Sequence, residues 1–479
     1  MWGSSLAGRS VFVILSSAAI GTLTVSAVSP HLSEFADSSG TVSTYNTRGA
    51  IDTSNPFFQS IGTNGRSCST CHLASDAMSL SSAAAQAAFT STRGEDPLFA
   101  DVDGANCPGV PRGDAMAHSL LTGHGLIRVS LPVLEQRDYT VQTIYDPYGC
   151  ADVLDPATNK RMLSQYRRPL PSTNLRFLSA VMFDGRETIA PLTSRSTYNA
   201  NLVADLSHQA IDATLGHAQA AVPPTSRQVS AIVEFELGLF TAQATDNRAG
   251  ALDKKKAFGG SVFLAGQEYY PGINDSLGSD PEGFSTSVFT LFDAWSDYRE
   301  SKEDAEAKRQ IAAGEQIFNT FPVTIRNVGG LNDALNVAAI PGTCTTCHDS
   351  PNVGNHSLPV PLDIGVSHSA PFEKDPAIAA ALGRLHVPDL PIFKVTCTDV
   401  TPRRVVYTSD LGKALVSGHC ADLVRVKGPI LRGLAARAPY FHNGAAATLR
   451  DVVEFYNERF DMGLSEEQKG QLEAFLKAL

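Results

Sequence analysis

The sequence predicts an all-α fold in two halves, with loop-rich insertions. The chain has 479 residues, which is enough for two or three domains with ample core. Apolar residues at helical spacing occur in both halves, as in the predicted helix at 229–240. One short motif, Cys-x-x-Cys-His, stands at 68–72 and again at 344–348. Each predicted helical half therefore contains one copy of the motif.

The Cys-x-x-Cys-His motif is the attachment signature of c-type haem. Its two thiols add to the haem vinyl groups, and the adjacent histidine becomes the proximal ligand of the iron. A thioredoxin-like Cys-x-x-Cys or half of a zinc site are the alternatives, but neither needs the trailing histidine twice. The chain is thus predicted to carry two covalently bound c-type haems. The residues concerned are Cys68, Cys71, His72, Cys344, Cys347 and His348.

The composition is that of an ordinary globular protein, with 43% hydrophobic and 18% charged residues. A net charge of −11 argues against nucleic acid and against an anionic membrane surface, because both would repel the chain. A basic electron-donor protein remains compatible with this charge.

Residues 1–28 are predicted to be a signal peptide. Arg9 supplies the positive region, Val11 to Val28 the apolar region, and Val25-Ser26-Ala27 a small-residue cleavage site. The alternative is an uncleaved anchor, because about 18 residues can just span a bilayer. Cleavage is favoured, since Ser, Thr and Gly dilute the segment. We therefore expect a periplasmic protein that is not integral to the membrane after cleavage.

Four further cysteines are predicted to form disulfides, since an exported protein with an even number favours pairing. Pairing Cys107 with Cys150 and Cys397 with Cys420 keeps one local bridge in each half. Free buried thiols are the alternative.

The predicted domains are an N-terminal haem domain at 29–245, a linker or inserted subdomain at 246–305, and a C-terminal haem domain at 306–479. Residues 93–165 form a long Gly-, Pro- and Asp-rich excursion within the first domain. His118 and His124 in this excursion are candidate distal haem ligands, although loop histidines are usually surface residues.

Helices are predicted at Leu80–Ala88 and at Ala312–Asn319, the latter leading to the second motif. Near the C-terminus, Thr448 with Asp451 and Ser465 with Gln468 are capping-box patterns that predict two more helices.

At these residues the chain resembles the bacterial di-haem cytochrome c peroxidase family, which includes the MauG-type enzymes. The matching pieces are both haem motifs, Phe-Asp-Gly-Arg at 183–186, and the block GPILRGLAARAPYFHNGAAATLRDVVEFY at 428–456. The resemblance covers roughly 55–245 and 306–479, and it implies two cytochrome c-like haem domains.

The resemblance implies roles for several further residues. Gln209 matches a distal-pocket glutamine of the haem that meets peroxide, and His217 is the candidate for acid/base work where the family has a carboxylate. A helix-surface histidine is the alternative for His217. Phe183 stands between the haems where the family usually has tryptophan, so electrons would tunnel through packed atoms. His442 belongs to the environment of the second haem.

Tyr456 is the candidate sixth ligand of the second haem. The peroxidase branch of the family has methionine at this position and the MauG branch has tyrosine. Met462 is the only methionine after His348. A core tyrosine that completes the apolar face of its helix is the alternative. The resemblance also implies interface calcium, partly through carbonyls at Arg437 and Pro439, but its asparagine ligand falls at Pro169, which leaves calcium open.

The function implied is a periplasmic peroxidase that reduces hydrogen peroxide with electrons from a small cytochrome c or cupredoxin. A MauG-like oxidase acting on a protein or an organic substrate is the alternative within the same chemistry. A plain electron-transfer di-haem cytochrome is the alternative of another class.

Overall fold

The computed structural model describes residues 31–300, 303–398 and 403–479. The predicted signal peptide at 1–28 lies outside the described residues. Across the three described ranges, no helix combines the length and the apolar character that a membrane span requires.

The prediction of an all-α fold is wrong. Helices hold 31% and strands 16% of the described residues, so the fold is mixed. The α-helices of the described residues are α1 (Ser82–Thr92), α2 (Ser119–His124), α3 (Tyr198–Gly216), α4 (Ser226–Gly238), α5 (Ser261–Ala265), α6 (Glu303–Thr320), α7 (Pro376–Leu382), α8 (Ala414–Ser417), α9 (Leu449–Arg459) and α10 (Glu466–Lys477). The strands are β1 (Leu32–Ala36), β2 (Gly40–Asn46), β3 (Ile127–Pro132), β4 (Tyr139–Tyr145), β5 (Asp152–Leu154), β6 (Arg161–Arg167), β7 (Leu239–Asp246), β8 (Gly250–Ala251), β9 (Val323–Arg326), β10 (Ala339–Gly342), β11 (Ile392–Cys397) and β12 (Val405–Thr408).

In the part of the chain that the structure describes, the strands form four small antiparallel sheets. Their orders are β1-β2-β7-β8, β3-β6-β5, β12-β11-β4 and β10-β9. In the first sheet, Tyr45 of β2 lies opposite Phe240 of β7, far away in the sequence. Strand β2 was missed because the Ser and Thr of its surroundings indicated a loop, whereas its Val, Thr and Tyr are strand formers. Its long-range partner is not visible in the sequence.

The excursion at 93–165 is not a loop but carries strands β3 to β6. Strand β4 pairs with β11 from the second half, with Val141 opposite Val395. Alternate residues of β11 are buried, a period-two pattern that the sequence analysis overlooked. The two halves therefore share a sheet.

The structure contains both predicted disulfides. The Cα atoms of Cys107 and Cys150 are 5.8 Å apart, and those of Cys397 and Cys420 are 5.7 Å apart. The first bridge lies within the excursion, and the second lies beside the sheet that joins the halves.

The predicted helices are confirmed. Both capping boxes are present, Thr448 with Asp451 at α9 and Ser465 with Gln468 at α10. The helix predicted at 229–240 ends at Gly238, because Leu239 already begins β7.

The segment 246–305 packs on the second half. Phe289, Phe292 and Trp295 are fully buried in one core with side chains of α6, α9 and α10. This segment thus shares a core with residues of 306–479, while the domain boundaries themselves stay a prediction.

Candidate active site: two cavities beside the Cys-x-x-Cys-His motifs

Each motif forms a short 3-10 turn, at Cys68–Thr70 and at Cys344–Thr346. A reciprocal capping box begins each turn, with Ser67 before the first and Thr343 before the second. The four motif cysteines are not in disulfides. The two turns are therefore built alike and present their sulfur atoms alike.

The two motif histidines have matching environments. Nδ1 of His72 donates to the carbonyl of Met78 at 3.1 Å, and Nδ1 of His348 donates to the carbonyl of Gly354 at 2.8 Å. Burial lowers the pKa of each imidazole to about 4, which keeps it neutral. A neutral ring held through Nδ1 has Nε2 available for iron, the arrangement expected of a metal-ligating histidine.

Each motif opens into its own cavity. The first cavity is lined by Cys68, Cys71 and His72, and the second by Cys344, Cys347 and His348. The two cavities have a shared wall, which consists of the residues that line both: Arg168, Pro169, Leu170, Pro171, Phe183, Lys427, Pro429 and Arg437. A group in one cavity is therefore separated from a group in the other by a single layer of side chains.

Phe183 belongs to this shared wall, where sequence reasoning placed it between the haems. Its ring centroid is 5.9 Å from that of His442 in the second cavity, in an edge-to-face contact. The neighbouring Asp184 is held by the buried Arg167, which also donates to Asp410 at 2.6 Å and 2.8 Å. This buried ion network fixes the Phe-Asp-Gly-Arg segment and thereby Phe183.

Gln209 and His217 both line the first cavity. Gln209 lies on α3, and His217 caps its C-terminal end. The structure thus brings both residues to the cavity of the first motif, as the sequence analysis expected, while their catalytic roles stay a prediction.

The same cavity contains two residues that sequence reasoning missed. Asp103 accepts short hydrogen bonds from Nδ1 of His217 and from Nη1 of Arg66. Asp103 and Arg66 are 4% and 2% exposed, so this is a buried ion pair. Asp103 was missed because it lies in the excursion, more than 100 residues before His217. A lone Asp in a polar loop gives no signal of such a contact.

The second cavity is lined by His442, Tyr456 and Met462. Nε2 of His442 lies 3.0 Å from Oγ of Ser367, and burial lowers the pKa of this imidazole to about 4. Burial also raises the pKa of Tyr456, so a free phenol at this position is neutral. The candidate sixth ligand Tyr456 therefore has access to this cavity, and Met462 lies at the same lining.

The two histidines of the excursion lie elsewhere. His118 is fully buried among Phe89 and Phe99, with Nδ1 donating to the carbonyl of Gly104 at 2.7 Å. Neither His118 nor His124 is among the described residues that line the two cavities.

The charge of the cavities fits haem. Arg168, Lys427 and Arg432 line the cavities and are 6%, 6% and 2% exposed. Burial lowers the pKa of Lys427 to about 8 and that of Arg432 to about 9, because water no longer solvates their charges. Within the described ranges, Nε and Nη1 of Arg432 and Nε of Arg437 have no hydrogen-bond partner. Such cations need anions, and haem carries two propionates.

The predicted calcium position already contains a cation. The carbonyl of Arg437 accepts a hydrogen bond from Nη2 of Arg168 at 3.0 Å, and Nη1 of Arg168 donates to the carbonyl of Gly125 at 3.0 Å. Calcium itself stays a prediction.

The paired cysteines, the neutral buried imidazoles and the buried cations without anionic partners together define the class. They are the features of a haem protein with motifs of the c type. No protein-family model matches the chain. Over 145 residues it is 32% identical to the cytochrome-c peroxidase IdrP2 of Denitromonas iodatirespirans. Over 147 residues it is 26% identical to the cytochrome-c peroxidase IdrP1 of Pseudomonas sp. (strain SCT). These relatives confirm the predicted resemblance to the di-haem cytochrome c peroxidase family.

The similarity to these relatives is partial. The matches cover 29% and 28% of this chain, and in each case 36% of the relative. A solved structure described as a MauG-like protein associated with microbial copper homeostasis superposes on 88% of this chain and 87% of its own. Its TM-score is 0.32 at 12% identity, a likeness too slight to carry an argument.

Proposed function

We propose that the chain is a periplasmic di-haem c-type peroxidase. The net reaction is H2O2 + 2 H⁺ + 2 e⁻ → 2 H2O, with electrons from a small cytochrome c or cupredoxin. The observation that carries the proposal is the pair of cavities with a shared wall, each with one Cys-x-x-Cys-His motif. The first cavity is lined by Gln209 and His217, and the second is lined by His442 and Tyr456.

When bound, haem supplies the iron centre for peroxide chemistry and the redox centre for electron storage. Cys68 and Cys71 would attach the first haem and Cys344 and Cys347 the second, with His72 and His348 as proximal ligands. The unpartnered guanidinium nitrogens of Arg432 and Arg437 supply donors for propionates.

The first cavity is proposed as the peroxide site because Gln209 and His217 line it. Cleavage of an O–O bond needs a proton moved from one oxygen to the other. His217 can accept and return that proton, and the amide of Gln209 can orient the substrate through hydrogen bonds. The second cavity is proposed as the electron relay, which is the role that the family resemblance implies for the C-terminal haem.

The shared wall is proposed as the route between the haems. Phe183 is far harder to oxidise than tryptophan. Electrons would therefore tunnel through its packed atoms, and the side chain itself would not be oxidised. The closeness of its ring to His442 supports this role.

Rapid mixing tests the function. Oxidised and half-reduced holoprotein is mixed with hydrogen peroxide in a stopped-flow instrument, with reduced cytochrome c as the turnover partner. A peroxidase oxidises about two cytochrome c molecules per peroxide, because each peroxide takes two electrons. A protein that shows only six-coordinate low-spin haem and is silent to peroxide in both states is a plain electron carrier, which would refute the proposal.

A MauG-like oxidase is the second candidate, and the position of Tyr456 in the second cavity favours it. A phenolate is a hard anionic donor that favours ferric iron, whereas a thioether raises the potential. Coordination would remove the phenol proton that burial otherwise retains.

The substitution Tyr456→Phe tests ligation of the second haem. We expect the first haem's spectrum to stay unchanged and the second haem to become high-spin or water-ligated, as read by optical and EPR spectroscopy. Tyr440→Phe is the matched control, because Tyr440 lines the same cavity but its hydroxyl donates to the carbonyl of Leu434 at 3.0 Å. A Tyr456→Phe protein with the parent's spectrum and potential would make Tyr456 a packing residue.

A further inference from the structure

A buried acid-base cluster stands at the first cavity. His217 donates to one carboxylate oxygen of Asp103 through Nδ1, and Arg66 donates to the other through Nη1. All three side chains line the cavity of the first motif. The carboxylate therefore binds the side of the imidazole opposite to Nε2.

The cluster is anchored by backbone groups of the excursion. Nε of Arg66 donates to the carbonyl of Pro97 at 2.8 Å, and Nη2 donates to the carbonyl of Leu98 at 2.6 Å. Arg66 also lies two residues before Cys68 of the motif. These bonds fix Asp103 relative to the haem attachment site, so the place of His217 is determined by the excursion as well as by α3.

Resting on the proposed peroxidase function, we propose that Asp103 is a positioning residue that holds His217 in the tautomer and orientation needed for proton transfer to peroxide. When the ring donates Nδ1–H to Asp103 and carries no second proton, its lone pair is on Nε2. That nitrogen accepts the proton from one peroxide oxygen and returns it to the departing oxygen. The net reaction and its two electrons from the donor protein are unchanged.

The charge of Asp103 supports this role. Burial alone would raise the pKa of Asp103, but His217 and Arg66 outweigh this effect and hold the pKa below its ordinary value. The carboxylate thus stays ionised and acts as an acceptor for Nδ1–H. An ionised partner also stabilises the imidazolium that forms when Nε2 takes up a proton.

A structural ion pair would explain the contact between Arg66 and Asp103 but not the contact between Asp103 and His217. The side chain of His217 is 41% exposed, while that of Asp103 is 5% exposed. A histidine with this access to solvent needs no buried carboxylate to satisfy it. The pairing instead places a rigid, polarised imidazole at the lining of the cavity.

A double-mutant cycle in the holoprotein tests the proposal. The variants are Asp103→Asn, His217→Gln and the two combined, and the readout is the rate of reaction with hydrogen peroxide. The His217→Gln protein should react about 10²–10⁴-fold more slowly. The Asp103→Asn protein, which removes the charge and permits the wrong tautomer, should lose at least about tenfold. The combined variant should be no slower than His217→Gln alone, because Asp103 acts through His217.

Cyanide affinity of the ferric protein is a readout besides activity. Hydrogen cyanide binds as the anion, so a base at the cavity must take its proton. An optical titration should show weaker cyanide binding in both single variants and no further weakening in the combined one. Asp101→Asn is the matched control, since Asp101 lies in the same loop but accepts from the backbone N–H of Gly109. It should behave as the parent in both measurements.

The outcomes separate this inference from the function on which it rests. An unchanged peroxide rate in His217→Gln refutes the proposed role of His217 and the inference with it, while turnover by the parent still tests the peroxidase. The inference alone is overturned in two cases, both with a slow His217→Gln protein. In the first, the rate losses of the two single variants add in the combined variant. In the second, the Asp103→Asn protein reacts at the parent rate. If Asp103→Asn does not retain both haems, Asp103→Glu replaces it in the same cycle, with the same non-additivity expected.

Discussion

The carboxyl group of Glu315 on α6 connects the segment 246–305 to the second half through hydrogen bonds. It is fully buried and accepts hydrogen bonds from the backbone N–H groups of Leu291 at 2.6 Å and Phe292 at 2.9 Å. Burial raises its pKa to about 7, although these two hydrogen bonds act in the opposite direction. The folded protein therefore retains a proton that the unfolded chain releases near the ordinary glutamate pKa of 4.5.

This difference predicts a pH dependence of stability. Between pH 4.5 and about 7 the unfolded chain binds fewer protons at this position than the folded protein, so the free energy of unfolding falls as pH rises. The total loss is at most about 3 kcal/mol, from 1.36 kcal/mol for each pKa unit. In Glu315→Gln the decline over this interval should be shallower, as measured by urea denaturation at several pH values.

Glu306→Gln on the same helix is the control. Glu306 is exposed, and hydrogen bonds from Gln310 and Arg309 lower its pKa, so its ionised form predominates in the folded protein throughout this interval. Its curve should run parallel to that of the parent. A Glu315→Gln curve that is also parallel would show that Glu315 is ionised in the folded state throughout.

At the scale of elements, α6 packs closely against α10 near the second motif. Phe318 of α6 and Phe475 of α10 pack with ring centroids 5.6 Å apart, and Phe318 also lies 5.9 Å from the ring of His348. The close approach is possible because position 314 is glycine. A Cβ there would collide with the carbonyl oxygen of Gln471 and lie 2.7 Å from Cβ of Phe475.

Gly314→Ala should therefore destabilise the protein in spite of the better helix propensity of alanine. Overpacking of this kind costs about 1–3 kcal/mol, measured as a lower midpoint of urea or thermal unfolding. Gly470→Ala on α10 is the matched control, because its Cβ would meet nothing within 4 Å. That variant should be neutral or more stable by up to about 1 kcal/mol. Equal stability of the two variants would mean that the helices separate without cost.

At the scale of the whole molecule, the halves are joined by strands and by the chain end. Strand β4 of the excursion pairs with β11, and the carbonyl of Leu479 accepts from the backbone N–H of Gly433 at 2.9 Å and of Gln243 at 3.3 Å. Residues that are far apart in the sequence, on both sides of position 245, are therefore held together by backbone hydrogen bonds.

Covalent haem stoichiometry tests the di-haem assignment of the whole chain. Intact mass spectrometry of the mature protein should show two haems, on a chain that lacks its first ~27 residues. Cys347→Ala should leave the second haem poorly held, because one of its two thioether bonds cannot form. The reciprocal variant Cys71→Ala should affect only the first haem. Full retention of both haems in Cys347→Ala would contradict the assignment.

Local chemistry determined much of this protein from sequence alone. The two motifs, the capping boxes of α9 and α10 and the cysteine pairs depend on residues near one another in the chain, and the structure contains each of them. The helices next to the motifs were predicted for the same reason, since a helix forms from contacts three and four residues apart.

The tertiary structure alone decided the features that depend on distant partners. The sheets were missed because β2 pairs with β7 and β4 with β11 across long stretches of chain, and a strand has no partner within its own sequence. Asp103 was missed for the same reason, as its contact with His217 spans 114 residues. Burial likewise decided which ionisable groups have shifted pKa values. The loss of solvation that causes these shifts depends on how the chain packs, so the order of the residues does not reveal it.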